Sequence, residues 1–199
     1  KTTVRHLVNS SKVGRVVECE SNLERDLALL LEFSTNVVSF EEQPLRLTIP
    51  ASPKSFQTTP DFSVLLDTRE TELLEVKYQS QANKHAERLE VIKRHLATQG
   101  MVYRVMTEKS IRASRMVLHN CQYLKSFKKL DGVTLDQLKA LAPKHPIRLD
   151  QLIEQVGSDT AIQIIAHQLV FFDYDTPLNP KTILRPSLPG DFVALYLNS

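Results

Sequence analysis

Only two cysteines, Cys19 and Cys121, occur among the 199 residues. They have neither metal-ligand spacing nor the density of a disulfide scaffold, which excludes zinc modules and makes both free thiols in a reducing compartment. A long apolar run is also missing. The longest, Ala161 to Phe172, is interrupted by Gln163, His167 and Gln168 and falls far short of the roughly 20 residues a membrane span needs. No signal-peptide pattern opens the chain; it starts at Lys1 and not at Met, so a few native residues are expected ahead of it, and the expected location is the cytoplasm. The six histidines share no spacing that suggests ligation or general-base work. Strong charge of one sign is absent as well: 25 Lys and Arg against 23 Asp and Glu leave a net +2, without the overall basicity of a histone-like binder.

That near-neutrality hides an asymmetry. Residues 1–130 hold 20 basic against 15 acidic side chains, and residues 131–199 hold 5 against 8. A basic part suited to a polyanion and an acidic part suited to something else point to two domains.

The chain reads as α/β at first. After a polar N-terminal arm, Ser21-Asn22-Leu23-Glu24 opens a helix with a stripe of Leu23, Leu27, Leu30 and Leu31, ending near Phe33. Val37–Phe40, Leu45–Ile49, Phe62–Leu66 and Leu73–Tyr78 read as strands, the last two as a hairpin around Asp67-Thr68-Arg69-Glu70. A helix is predicted from about Asn83 to Thr98, a strand at Met101–Met106, and a further helix from Ile111 to about Lys129. Beyond it, Thr134 with Gln137 predicts a capping box, further helices run near Leu149–Val156 and after Ser158, and Leu169–Tyr174 and Thr182–Leu184 look like a small hairpin. Three short helices and a hairpin outline a winged helix. That outline serves DNA and protein contact alike.

Chemistry concentrates in Thr59-Pro60-Asp61-Phe62 and Glu75-Val76-Lys77. Side chains two apart in a strand share a face, so Glu75 and Lys77 point together. Asp61, at the start of the partner strand, is placed to lie beside Glu75. Two carboxylates a few Å apart repel, and a hard divalent cation resolves the repulsion by taking oxygens from both; Mg²⁺ is the expected occupant, with Mn²⁺ as a substitute. A lysine on the same face can orient or deprotonate water, or stabilise charge on a phosphate. The chemistry so equipped is metal-assisted phosphodiester hydrolysis. As a bare pattern, Glu75 and Lys77 would equally suit a solvated strand face. Glu24, upstream, is an acid bordering the core, although Ser-x-x-Glu equally makes a capping box. Glu20 competes as a third acid, and Gln43, in Glu41-Glu42-Gln43-Pro44, is an accessory candidate. Lys84, Arg88, Lys93 and Arg94, with Arg112 and Arg115, are candidates for phosphate contacts.

The ordered series Glu20-Ser21-Asn22-Leu23-Glu24-Arg25-Asp26, Leu30-Leu31-Glu32-Phe33, Glu42-Gln43-Pro44, Thr59-Pro60-Asp61-Phe62 and Glu75-Val76-Lys77 resembles the TnsA endonucleases of heteromeric cut-and-paste transposons, over roughly residues 15 to 110. The resemblance implies a restriction-endonuclease-like mixed sheet flanked by helices, of the PD-(D/E)xK class, followed by a small winged-helix-like C-terminal domain. It divides the chain into a nuclease domain at 1–110, a connecting helix at 111–130 and a partner-docking domain at 131–199. It also implies cutting of the 5′ strands at transposon ends in double-stranded DNA, beside a TnsB-like transposase and a TnsC-like ATPase, in a bacterial cytoplasm and at the nucleoid when active. By position in the motif, the family's catalytic residues fall on Glu24, Asp61, Glu75 and Lys77. Glu24, Asp61, Glu75 and the main-chain carbonyl of Val76 would form the metal shell. Two alternatives remain open: an assembly factor whose nuclease site is idle, and a stand-alone restriction or junction-resolving nuclease of the same fold.

Overall fold

A computed structural model describes residues 5–130 and 132–186. Two compact units divide the chain, Lys1–Glu32 with Asn36–Ala113, and Phe33–Thr35 with Ser114–Ser199.

The first unit opens on a hairpin, β1 (His6–Ser10) and β2 (Arg15–Cys19), where a polar arm is expected from the sequence. Its alternation is concealed because each strand buries only two residues, Val8 and Ser10 in one, Val17 and Cys19 in the other. Gly14, at φ +67°, supplies the left-handed turn between them. Ser10 and Ser11 anchor the hairpin by donating to the fully buried Glu32.

Helix α1 (Asn22–Phe33) carries Leu23, Leu27, Leu30 and Leu31 inward, as their spacing requires. The strands that follow are β3 (Val37–Glu42), β4 (Leu47–Ile49), β5 (Phe56–Thr58), β6 (Phe62–Leu66) and β7 (Thr71–Val76). After α2 (Gln79–Lys84) and α3 (Ala86–Ala97) comes β8 (Val102–Met106) and then α4 (Glu108–Ile111). Strands β3, β6, β7 and β8 pair in that order into one mixed sheet: β3–β6 and β6–β7 are antiparallel, and β7–β8, joined through helices, are parallel. The α/β sheet flanked by helices is therefore present.

Both faces of β7 are buried, which departs from the solvated face that Glu75 and Lys77 would equally suit. Leu74 lies opposite Phe62 on one face, and Leu73 joins Ile49, Leu89, Ile92 and Leu96 on the other. The buried Glu72 is accepted into this setting because Arg104, on the neighbouring strand, donates two hydrogen bonds to its carboxylate, of 2.8 and 3.1 Å. β4 and β5 form a separate hairpin whose second strand the sequence pattern does not announce.

Two expected helices are broken. The 83–98 helix starts earlier, at Gln79, and is interrupted at His85, which ends α2 and precedes α3. The expected helix from Ile111 to Lys129, the connecting helix of the sequence reading, is α4 followed by α5 (Arg115–Lys125). The Ser114 hydroxyl accepts from Val117 N–H at 3.1 Å and starts α5 afresh, and the border between the two units falls at this break.

The second unit adds α6 (Leu135–Leu141), β9 (Ile147–Arg148), α7 (Leu149–Val156), α8 (Ser158–Ala166) and β10 (Ile183–Leu184). The reciprocal Thr134–Gln137 capping box forms as expected. Strand β10 pairs with β9, whereas the expected 169–174 strand reduces to one bridge, Phe171 with Arg185. Its core stacks Phe172 on Tyr174 at 4.3 Å between ring centroids. Asn120 ties the following chain down by donating to the carbonyls of Tyr174 and Thr176, both at 2.8 Å.

Candidate active site

The register of the β6–β7 hairpin decides the site. Phe62 faces Leu74 across the antiparallel ladder, so Asp61, one residue earlier, comes level with Glu75, one residue later. The Asp61 carboxylate accepts a 2.6 Å hydrogen bond from Val76 N–H through Oδ2. Gln43 N–H donates at 2.9 Å to the Asp61 carbonyl, fixing the residue from the β3 side. Lys77 Nζ reaches back two positions along its own strand and donates to Glu75 Oε1. Two carboxylates and an ammonium thus meet at the end of the two central strands, as the spacing predicts.

Burial and like charge act together on this cluster. Burial, followed by the charge of Glu75, pushes the Asp61 carboxyl up to about 7; the Val76 N–H and Lys77 offset part of this, and Glu24 adds to it. Burial opposes the charge on Lys77, but the hydrogen bond to Glu75 and the charges of Glu75, Asp61 and Glu24 outweigh it and raise the ammonium's pKa. One oxygen is left over. Glu75 is 7 % exposed and its Oε2 has no hydrogen-bond partner, which costs free energy in a buried anion unless a ligand occupies it. An orphaned buried carboxylate oxygen beside a second carboxylate is the donor chemistry a hard divalent cation satisfies.

A raised carboxyl pKa makes stability pH-dependent, with a definite sign. The unfolded aspartate titrates near about 3.9 and the folded one near about 7, so the folded protein holds this proton more tightly. The resulting stability is complete below about pH 4 and is lost as pH rises through about 7. The melting temperature of the metal-free protein is therefore expected to fall more steeply from pH 5 to pH 8 than that of Asp61→Asn. Parallel curves in scanning calorimetry would remove the raised acid.

Glu24 is not drawn in with the other two acids. Its Oε1 accepts from the Ser21 hydroxyl at 2.8 Å and its Oε2 from Glu20 N–H at 2.8 Å, while its own N–H donates to Ser21 Oγ at 3.1 Å. Ser21 thus caps the helix as expected, with Glu24 reaching back to Glu20 N–H in place of the Ser21 N–H of a strict capping box, and Glu24 stays close enough to act electrostatically on Asp61 and Lys77. Among the described residues no three Asp, Glu, His or Cys side chains stand together as a metal cage. Glu20 and Gln43 line a polar crevice of about 210 Å³ with Arg5, Arg15, Glu18, Cys19 and Glu42, and their backbone N–H groups join it to Glu24 and to the Asp61 carbonyl. Arg15 there grips Glu42 with two hydrogen bonds of 2.6 and 2.7 Å.

The basic candidates on α2 and α3, Lys84, Arg88, Lys93 and Arg94, are all exposed. Arg88 lies 3.9 Å over the Phe56 ring and donates to the Gln57 carbonyl, which holds it against the β4–β5 hairpin. Arg94 pairs with Glu90 at 3.8 Å. Arg112 is committed to the buried Asp26, at 2.7 and 2.8 Å.

A mixed sheet that carries an aspartate on one central strand and Glu-x-Lys on the next fits the restriction-endonuclease-like fold. Residues 34–108 match the family model described as TnsA-like endonuclease N terminal, and over that stretch the chain is similar to TnsA-like endonucleases. The matched stretch contains Asp61, Glu75 and Lys77, and Glu24 precedes it. No curated protein matches the chain. Among the described residues, no helix is long and apolar enough to cross a membrane.

Proposed function

We propose that the protein is the endonuclease of a Tn7-type transposition system, cutting the 5′ strands at transposon ends in double-stranded DNA by Mg²⁺-dependent hydrolysis, beside a TnsB-like transposase and a TnsC-like ATPase. The observation that carries this reading is the junction of Asp61, Glu75 and Lys77 on paired strands, with Glu75 Oε2 unpartnered. Asp61 and Glu75 would hold the cation, the Val76 carbonyl would add a neutral oxygen, and Glu24 would join on leaving its cap. Once bound, the cation supplies Lewis acidity toward the phosphate and an acidified water; Mn²⁺ offers similar chemistry. Lys77 holds Glu75 in the metal-free chain and is positioned to orient the attacking water or to stabilise the charge that develops on the phosphate. Exposed Lys84, Arg88, Lys93 and Arg94 would contact the DNA backbone without reading sequence.

The second unit supports a docking role. From α5 onward its order of two helices, strand, two helices, bridge and strand suits a winged helix; residues 131–199, with 5 basic against 8 acidic side chains, suit a protein partner more than DNA, while Arg115, Lys125, Lys128 and Lys129 ahead of them bring the whole unit to near neutrality. The engagement of Glu24 in its cap favours an enzyme that needs DNA or partners to complete its site. The test is to incubate transposon-end DNA with Mg²⁺ and the protein, with and without the transposase and ATPase, and to map the nicked strand. Nicks at the 5′ ends that require the partners are expected. Sequence-specific cutting of junctions or palindromes by the isolated protein would overturn the transposition role.

A further inference from the structure

Tyr103 occupies a place where the fold has no use for its oxygen. Its side chain is 3 % exposed and belongs to an otherwise apolar cluster with Ile49, Leu73, Leu89, Ile92 and Leu96. Phenylalanine would fill the same volume and avoid leaving a buried hydroxyl unpaired, which is unfavourable. Strand β8 runs parallel to β7 with Tyr103 beside Leu73 and Val105 beside Glu75. Tyr103 and Glu75 are therefore diagonal neighbours on one face, a separation that an aromatic side chain spans. The Tyr103 hydroxyl and Glu75 Oε2 are both buried and both without a hydrogen-bond partner. Glu75 acts on the Tyr103 phenol both by its charge and by side-chain hydrogen bonding, which places the two groups within reach of each other, although neither oxygen has a partner in full hydrogen-bond geometry.

We propose that Tyr103 is a positioning residue for Glu75, its hydroxyl donating to Glu75 Oε2 when a divalent cation is bound and so fixing the carboxylate that holds the ion. The proposal rests on the reading of Asp61, Glu75 and Lys77 as a metal-dependent site. Lys77 already donates to Oε1, so each oxygen of Glu75 then has one donor and keeps a lone pair for the cation. A tyrosine phenol is protonated at neutral pH and carries one O–H donor, so the hydroxyl can supply this bond.

Tyr103→Phe in the full-length chain tests the idea. Melting is measured without metal and across a titration with Mn²⁺ and with Mg²⁺, in parallel with nicking. The metal-free melting temperature is expected to stay level or rise, because an unpaired hydroxyl is gone. The half-saturating metal concentration is expected to rise about tenfold in both the melting shift and the nicking rate. A wild-type response matched by the variant would overturn the role of Tyr103 alone. A lower metal-free melting temperature with unchanged half-saturation would also overturn it, making the residue structural. A wild-type protein that shows neither a metal-dependent shift nor metal-dependent nicking would overturn the site reading and this proposal together.

Discussion

Asp61→Asn is expected to lower nicking by about 10³-fold or more, because the substitution removes the central anion on which cation binding depends. The fold should tolerate the change. An asparagine carbonyl oxygen can still accept from Val76 N–H, as Asp61 Oδ2 does at 2.6 Å. The variant also relieves the repulsion from Glu75 that, with burial, raises the Asp61 carboxyl. At pH 8 its metal-free melting temperature should equal or exceed that of the wild type. Loss of cutting with stability retained is the signature of a carboxylate kept for chemistry at a cost to the fold. Cutting at the wild-type rate by Asp61→Asn would remove this carboxylate from the reaction.

Lys77→Met is expected to lower the maximal rate by about 10²–10⁴-fold, the range associated with one well-placed proton-transfer group. Its second effect is electrostatic. Lys77 donates to Glu75 and its charge also holds Asp61 down; without the ammonium, the two carboxylates face each other less screened. The pH–rate profile should therefore move upward in pH along with the fall in rate. The two effects separate the roles of the lysine. If the variant regains the full wild-type rate at high pH, Lys77 only balances charge; a rate that stays low on the plateau places the amine in the chemistry. Methionine preserves much of the apolar stem, so packing changes contribute little.

The central elements were legible because their signals are local. The leucine spacing of α1, the Thr134–Gln137 box and the β6–β7 hairpin follow from periodicity and cap chemistry within a dozen residues. The pairing of Asp61 with Glu75 was legible for the same reason, since a short hairpin fixes its own register. The β1–β2 hairpin was not read, although Gly14 and the inward Val8 and Val17 carried a weak trace of it. The break at Ser114 shows a polar side chain competing with helix continuation, where apolar periodicity on both sides suggested one helix. Glu24 is the instructive intermediate case. Its sequence allowed a cap or a ligand, and the structure shows the cap made with Glu24 still within electrostatic reach of Asp61.

By itself the sequence determined the chemistry available: two acids and a lysine placed by strand alternation and hairpin register, in a chain with neither zinc spacing nor a membrane-length apolar run. Only the tertiary structure decided how hard those groups are driven. Burial of Asp61 and the charge of Glu75 beside it raise the Asp61 carboxyl, and burial on β7 leaves Glu75 Oε2 without a partner; neither follows from residue spacing. Tyr103 belongs wholly to this second class. Its place beside Glu75 depends on the parallel pairing of β8 with β7, a non-local contact whose register is set by helices packing between distant segments and not by any turn.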